Sequence, residues 1–211
     1  VRLVGSEMCI RDRFKTILSK LYHWKIYVVG SVEYQYPNHL FQAGYFLDKK
    51  YYDENTIDFK HLLLSEKNQS LLKDIQNSNS VGVHIRRGDY MTKQNLVIFG
   101  NICTQKYYHD AIRIITEKVN DAVFYVFSDD ISWVQTHLDI PNAVYVNWNT
   151  GESSIYDMYL MSSCKYNIIA NSTFSYWAAR LNKKTNMVIY PSKWYNTCLL
   201  YTSDAADDTP C

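Results

Sequence analysis

Between residues 81 and 190, short runs rich in valine, isoleucine and tyrosine alternate with stretches in which apolar residues recur every three to four positions. Residues 81–85, 122–127, 143–146, 167–170 and 187–190 read as strands. Residues 105–119, 130–138, 152–165 and 172–181 read as helices, the first with Tyr108, Ala111, Ile112, Ile115 and Val119 on one side. A chain that leaves each strand through a helix enters the next strand in the same direction, so the pattern predicts a parallel sheet with right-handed crossovers. The expected fold class is α/β, Rossmann-like. Residues 65–76 read as a preceding helix that Ser65 can cap, with Leu71, Leu72 and Ile75 on one face. Asn77-Ser78-Asn79-Ser80 breaks it, and the domain boundary is expected there. Residues 14–58 are aromatic and irregular, with Val28 and Val29 suggesting a strand.

Three of the predicted strands run into polar clusters. The first delivers Arg86, Arg87, Gly88 and Asp89, the second Ser128, Asp129 and Asp130, and the fourth Asn171, Ser172, Thr173 and Ser175. In open α/β sheets ligands bind outside the carboxyl ends of the strands, at the switch point of the strand order. Arginine carries a planar fork of donors and keeps its proton, so two in succession suit a diphosphate better than a lone carboxylate. A solvated surface pair is the plainer alternative. Gly88 reads as a sharp turn. Where residue 171 turns into a helix, backbone N–H groups and the positive end of the helix dipole make a phosphate cradle beside Ser172 and Thr173; Asn, Ser and Thr are equally ordinary helix caps. Asp129 and Asp130 suit a metal-binding loop or a helix cap. His84 is either a core histidine or part of the same mouth.

His84-Ile85-Arg86-Arg87-Gly88-Asp89-Tyr90 resembles the HxRRGDY signature of the α-1,2-fucosyltransferases of glycosyltransferase family 11. Asn171-Ser172-Thr173-Phe174-Ser175-Tyr176-Trp177 resembles that family's second signature, and Phe127-Ser128-Asp129-Asp130 stands between them in the family's order. The resemblance covers about residues 44 to 195, beginning with an aromatic segment at residues 44–52. It implies the donor-binding half of a GT-B glycosyltransferase behind a truncated first domain, since the family's opening GGLGNQ-type segment has no counterpart here. It implies inverting transfer of L-fucose from GDP-fucose to the 2-hydroxyl of a galactoside. Arg86 and then Arg87 would stabilise charge on the departing phosphate, with Asp89 as acceptor of a proton or as a brace. His84, Arg86, Ser128, Asp129, Asp130, Asn171, Ser172, Thr173 and Ser175 would hold the donor. Metal-independent catalysis is expected, the arginines making an ion redundant. A fucosyltransferase of α-1,6 or protein O-fucosyl type, and a GDP-sugar-binding fragment without catalysis, are the alternatives. The partners implied are GDP-fucose and a galactose-containing glycan, in the cytoplasm or at the inner face of the membrane.

Both ends read differently. Residues 2–13 and 198–208 resemble translated sequencing-adapter sequence, so 1–13 and 198–211 are expected to be adapter-derived tails. That leaves 14–80 as the remnant of an acceptor-side domain with its linking helix, and 81–197 as the GDP-sugar-binding domain. Without the tails, the 22 basic and 21 acidic side chains lose Arg2, Arg11, Arg13, Glu7, Asp12, Asp204, Asp207 and Asp208. The remaining slight positive excess is far from the concentrated basic face of a nucleic-acid binder. Of five cysteines, Cys103 and Cys164 lie between the tails, in no C-x-x-C pair, which argues against a disulfide framework or structural zinc. No apolar run reaches the roughly 20 residues of a membrane-spanning helix.

Overall fold

Every residue from Ser80 to Ile85 is buried, on both faces of the strand they help to form, β3 (Asn79–Ile85). A strand buried on both sides must carry helices above and below. A computed structural model describes residues 58–196 in full and, ahead of them, the backbone of β1 (Tyr27–Val29) and β2 (Phe41–Ala43). The chain divides into two compact units, Val1–Ile57 and Asp58–Cys211. In the first, β1 and β2 pair in parallel, Tyr27 opposite Phe41. The aromatic segment at 44–52 and both terminal stretches lie outside the described residues.

The second unit opens with α1 (Glu66–Asn77), capped by Ser65, whose hydroxyl accepts from the Asn68 N–H at 3.3 Å. After β3 come a 3-10 turn (Gly88–Met91), α2 (Lys93–Phe99) and α3 (Gln105–Lys118). The series continues with β4 (Ala122–Ser128), α4 (Ile131–His137), β5 (Ala143–Val146) and α5 (Ser154–Ser162), the last preceded by a 3-10 turn. It closes with β6 (Tyr166–Ile168), α6 (Thr173–Arg180) and β7 (Met187–Ile189). The five strands lie in the order β5-β4-β3-β6-β7, all parallel.

Alternation along the strands divides the core. Val81, Val83, Ile85, Phe124 and Val126 meet Tyr108, Ala111, Ile112 and Ile115 of α3 and Val134 of α4. Tyr125 and Phe127 point the other way, to Leu71 and Ile75 of α1, Leu160 and Met161 of α5, and Ala178 of α6. This is the expected Rossmann-like α/β architecture.

Four local differences have physical causes. β3 starts at Asn79 because Asn79 pairs with Ala122 and its amide donates to the Asn120 carbonyl at 2.9 Å. The expected break at 77–80 narrows to a turn at Ser78 between α1 and β3, both within the second unit, which begins at Asp58, and α1 packs on that unit's own sheet. α5 stops at Ser162, not 165: the Ser162 and Ser163 hydroxyls both bond back to the Tyr159 carbonyl, at 2.8 and 2.9 Å. The 3-10 turn and α2 had no sequence counterpart, since Leu96, Val97, Ile98 and Phe99 form one apolar block without a helical stripe.

Gly82 takes the inner side of β3 against α5, where an added β-carbon would stand 2.8 Å from Asn167 Nδ2 and 3.0 Å from Met161 Cγ. Asn167 cannot yield easily: wholly buried, it donates to the Met161 carbonyl at 3.0 Å and accepts from Asn182 at 3.0 Å. Gly82→Ala is therefore expected to destabilise the protein by about 1–3 kcal/mol in urea unfolding; an unchanged midpoint would show that the site opens freely.

Candidate functional site

In the strand order, β3, β4 and β5 are added toward one edge and β6 and β7 toward the other, so the switch point lies between β3 and β6. All strands are parallel, and three polar clusters leave the carboxyl ends of the adjacent strands β4, β3 and β6. Direct bonds tie them. The Tyr90 hydroxyl donates to the Asn171 carbonyl at 2.9 Å, and the Arg87 N–H donates to Asp129 Oδ1 at 2.9 Å.

The two arginines are held differently. Arg86 spends both terminal nitrogens on carboxylates: Nη2 lies 2.6 Å from Asp89 Oδ1 and Nη1 2.8 Å from Asp129 Oδ2. Its guanidinium carbon also stands 5.6 Å from the centre of the Tyr90 ring. Arg87 engages Asp130 Oδ2 through Nε, at 3.2 Å, and lays its guanidinium 3.6 Å over the indole of Trp133. The chain turns at Gly88, as expected, into the 3-10 turn Gly88–Met91, without a positive φ. Its service is to have no side chain, because a β-carbon there would overlap Asp129 Oδ2 and stand 3.1 Å from Asp129 Cγ.

The acidic turn does several jobs at once. Asp130 Oδ1 caps α4 by accepting from the Trp133 N–H at 3.1 Å, and Ser128 Oγ accepts from the Asp130 N–H at 3.0 Å. Asp129 locks the arginine loop from both sides. Two guanidinium groups thus face three carboxylates, so an anion here would be held by directed N–H donors and not by net charge. Among the described residues, no group of three or more His, Cys, Asp or Glu side chains is placed to hold a metal ion.

At the start of α6 the Ser172 N–H is already committed, donating to the Ala170 carbonyl at 2.8 Å. That amide is therefore not free for the cradle expected beside Ser172. α6 has no side-chain cap, unlike α1, α2, α3 and α4, which leaves the amides of Thr173, Phe174 and Ser175 for the helix dipole to present. Several of the nominated residues turn out to be framework. Ser175 is buried and bonds the carbonyls of Ala170 and Ser172, both at 3.2 Å. Asn171 is buried and donates to the carbonyls of Phe99 and Trp194, at 3.1 and 3.2 Å. His84 is 5% exposed, with its ring 5.0 Å from that of Phe174. Burial, and then the charge of Arg86, push its pKa down to about 3, so the imidazole is neutral, and its Nδ1 has no hydrogen-bond partner. Asn171 ties the end of β6 to α2 and to the segment after β7, Ser175 braces the start of α6, and His84 packs β3 on α6, whereas Arg86, Arg87, Asp89, Asp129 and Asp130 stand at the mouth.

Two features had no sequence signal. Trp133 was read only as part of a helix. At the carboxyl end of β5 a polar network joins α1 to α5: Asn68 and Asn149 exchange amide bonds at 3.0 and 3.1 Å, the Trp148 indole N–H donates to Asn68 at 2.7 Å, and Asn149 donates to Asp157 at 2.6 Å. Burial pushes the Asp157 carboxyl up to about 7, against the Asn149 bond that favours its charge.

A family model described as Glycosyl transferase family 11 matches residues 7–207. An alpha-1,2-colitosyltransferase of Escherichia coli is 35% identical over 176 residues, 79% of this chain and 57% of its own length. The O-antigen biosynthesis glycosyltransferase WbnK, also of Escherichia coli, is 44% identical over 122 residues, 57% of this chain and 40% of its own. A galactoside alpha-(1,2)-fucosyltransferase 2 of Pongo pygmaeus is 29% identical over 128 residues, 57% of this chain and 37% of its own. This chain thus spans roughly half the length of the curated relatives it matches. Among solved structures, the fucosyltransferase NodZ from Bradyrhizobium matches 55% of this chain and 40% of its own, at 19% identity and a TM-score of 0.39.

Because the folded pKa of Asp157 lies above that of a free carboxyl, its contribution to stability is complete below about pH 4 and is lost as pH rises through 7. Asp157→Asn keeps the acceptor for Asn149 without the charge. The variant is expected to be more stable than the parent at pH 8, and to lose less stability between pH 5 and pH 8 by on the order of 2–3 kcal/mol. Urea unfolding at the two pH values measures it; parallel losses in both proteins would clear Asp157.

Proposed function

The chain belongs to glycosyl transferase family 11, and from that premise we propose that the intact protein transfers L-fucose from GDP-fucose to the 2-hydroxyl of a galactoside, with inversion at the anomeric carbon. The observation that carries this reading is the convergence at one switch point of an arginine pair and an uncapped helix start, tied by the Tyr90 to Asn171 bond. Both features present directed N–H donors, the chemistry a diphosphate needs.

In such a transfer the bond from sugar to diphosphate breaks through an oxocarbenium-like state, and negative charge grows on the departing phosphate oxygen. Donors already aimed at that oxygen gain strength as its charge grows, which lowers the barrier. A guanidinium has five N–H donors. Arg86 has committed one on each terminal nitrogen, while Arg87 is engaged at Nε and over its face, leaving its terminal fork open to a phosphate. Arg87 is thus the better fork and Arg86 the stiffer one, a reversal of the order suggested by the sequence. Thr173 and the first amides of α6 complete the cradle. Asp89 braces Arg86. No metal ion takes part, since these donors do its work.

A second reading concerns the sugar. The relative named alpha-1,2-colitosyltransferase aligns over 79% of this chain, which favours colitosyl transfer through the same diphosphate site. Offering the intact protein GDP-fucose and an activated colitose donor, each with galactoside, peptide and chitobiose acceptors, separates these readings and the other fucosyl linkages. Product is expected with GDP-fucose and a galactoside, linked at the 2-hydroxyl, and EDTA is expected to leave the rate unchanged. Arg86→Ala and Arg87→Ala are each expected to lower kcat by about a hundredfold, some 3 kcal/mol of barrier. Near-normal turnover by both variants would remove the diphosphate clamp from the reading.

A further inference from the structure

We propose that Trp133 is a positioning residue for the donor site, setting the plane and heading of the Arg87 guanidinium. This rests on the reading that Arg87 faces the donor diphosphate. The guanidinium carbon of Arg87 lies 3.6 Å from the centre of the indole, close enough for stacking of the cation on the ring. The ring of His137 lies 4.5 Å from the same indole, nearly parallel at 11°. Two groups of that size cannot share one face, so the indole is held between Arg87 and His137.

The sandwich is braced from outside. His137 Nδ1 is bonded to the Thr136 hydroxyl at 2.6 Å and lies 2.9 Å from the Trp133 carbonyl, which fixes the imidazole on its own helix. Trp133 itself packs against the cluster of α3, α4 and the sheet. Asp130 then sets the distance between helix and arginine with a single carboxylate, Oδ1 accepting from the Trp133 N–H and Oδ2 from Arg87 Nε. The short helix α4 is in effect a bracket that presents one flat surface to one arginine.

Stacking has a consequence that an ion pair lacks. A carboxylate takes up in-plane donors, as Asp89 and Asp129 do on Arg86, whereas an aromatic face restrains the guanidinium and leaves its edge N–H groups unspent. Trp133 therefore stiffens Arg87 without occupying the terminal nitrogens that a phosphate needs.

A double-substitution cycle on the intact protein tests this, reading kcat/KM for GDP-fucose together with thermal unfolding for Trp133→Leu, Trp133→Phe, Arg87→Ala and the Trp133→Leu/Arg87→Ala pair. Trp133→Leu is expected to lower kcat/KM roughly tenfold, and Trp133→Phe, which restores a flat face, to recover most of the loss. In the Arg87→Ala background Trp133→Leu is expected to cost nothing further, because the group it positions is gone. The same loss in both backgrounds, or a phenylalanine as damaging as leucine, would reduce Trp133 to a packing residue of α4 and overturn the proposal. An active parent that tolerates Arg87→Ala would overturn it too, while leaving fucosyl transfer standing. A parent that does not turn over GDP-fucose would remove the functional reading itself, and this proposal with it.

Discussion

Parallel pairing of β3 with β4 on one side and β6 on the other is the constraint from which the remaining arrangement follows. Parallel strands deliver all their carboxyl ends to one edge, so the loops that follow three adjacent strands have to meet there. The strand at the centre can sit there because it is buried on both faces, apolar toward α3 and small at Gly82 where α5 comes closest. A bulkier central strand would push α5 outward, and with it the buried Asn167 and Asn182 amides that fasten β6 to the turn after α6. The mouth depends on packing that lies well beneath it.

At the mouth, acids position bases. Asp129 reaches the Arg86 side chain and the Arg87 backbone with its two oxygens, and Gly88 leaves room for it. Asp130 divides its oxygens between a helix cap and an arginine. Exposed ion pairs contribute little to stability. On the function proposed above, their value lies in direction, since a guanidinium fixed before a phosphate arrives needs little reorganisation when charge develops. The neutral, buried His84 belongs to the same economy of charge, for an imidazolium beside Arg86 would be costly to keep from water.

Much of the fold was legible in the chain because period and composition report burial directly. The apolar stripe of α3, the Ser65 cap and the strand at 143–146 all stand where residue type and spacing place them. What escaped were cases in which a local rule was overridden. Leu96 to Phe99 make one apolar block without a helical stripe, yet they lie in a helix with Thr92 as its cap. Residues 163–165 look helical and are not, since two serines turn their hydroxyls onto one carbonyl. In the candidate site, the arginine and asparagine motifs could be recognised as residues, but their division of labour could not. Asn171 and Ser175 are as polar in sequence as Thr173, and only burial shows that they bond the framework.

By itself the sequence determined the parallel α/β class, the family, and which loops carry polar chemistry, because each of these is written in residue type and short-range spacing. The tertiary structure decided which donors stay open: that the Ser172 amide is spent, that Arg86 is doubly bonded while Arg87 is stacked on Trp133, and that Asp157 is partly buried against Asn149. Those outcomes depend on partners far apart in the chain, such as Arg87 with Trp133 or Asn68 with Asn149, and on how much water burial removes from a given atom. No local pattern encodes a distance between residues that only the packing of a sheet and its helices brings together.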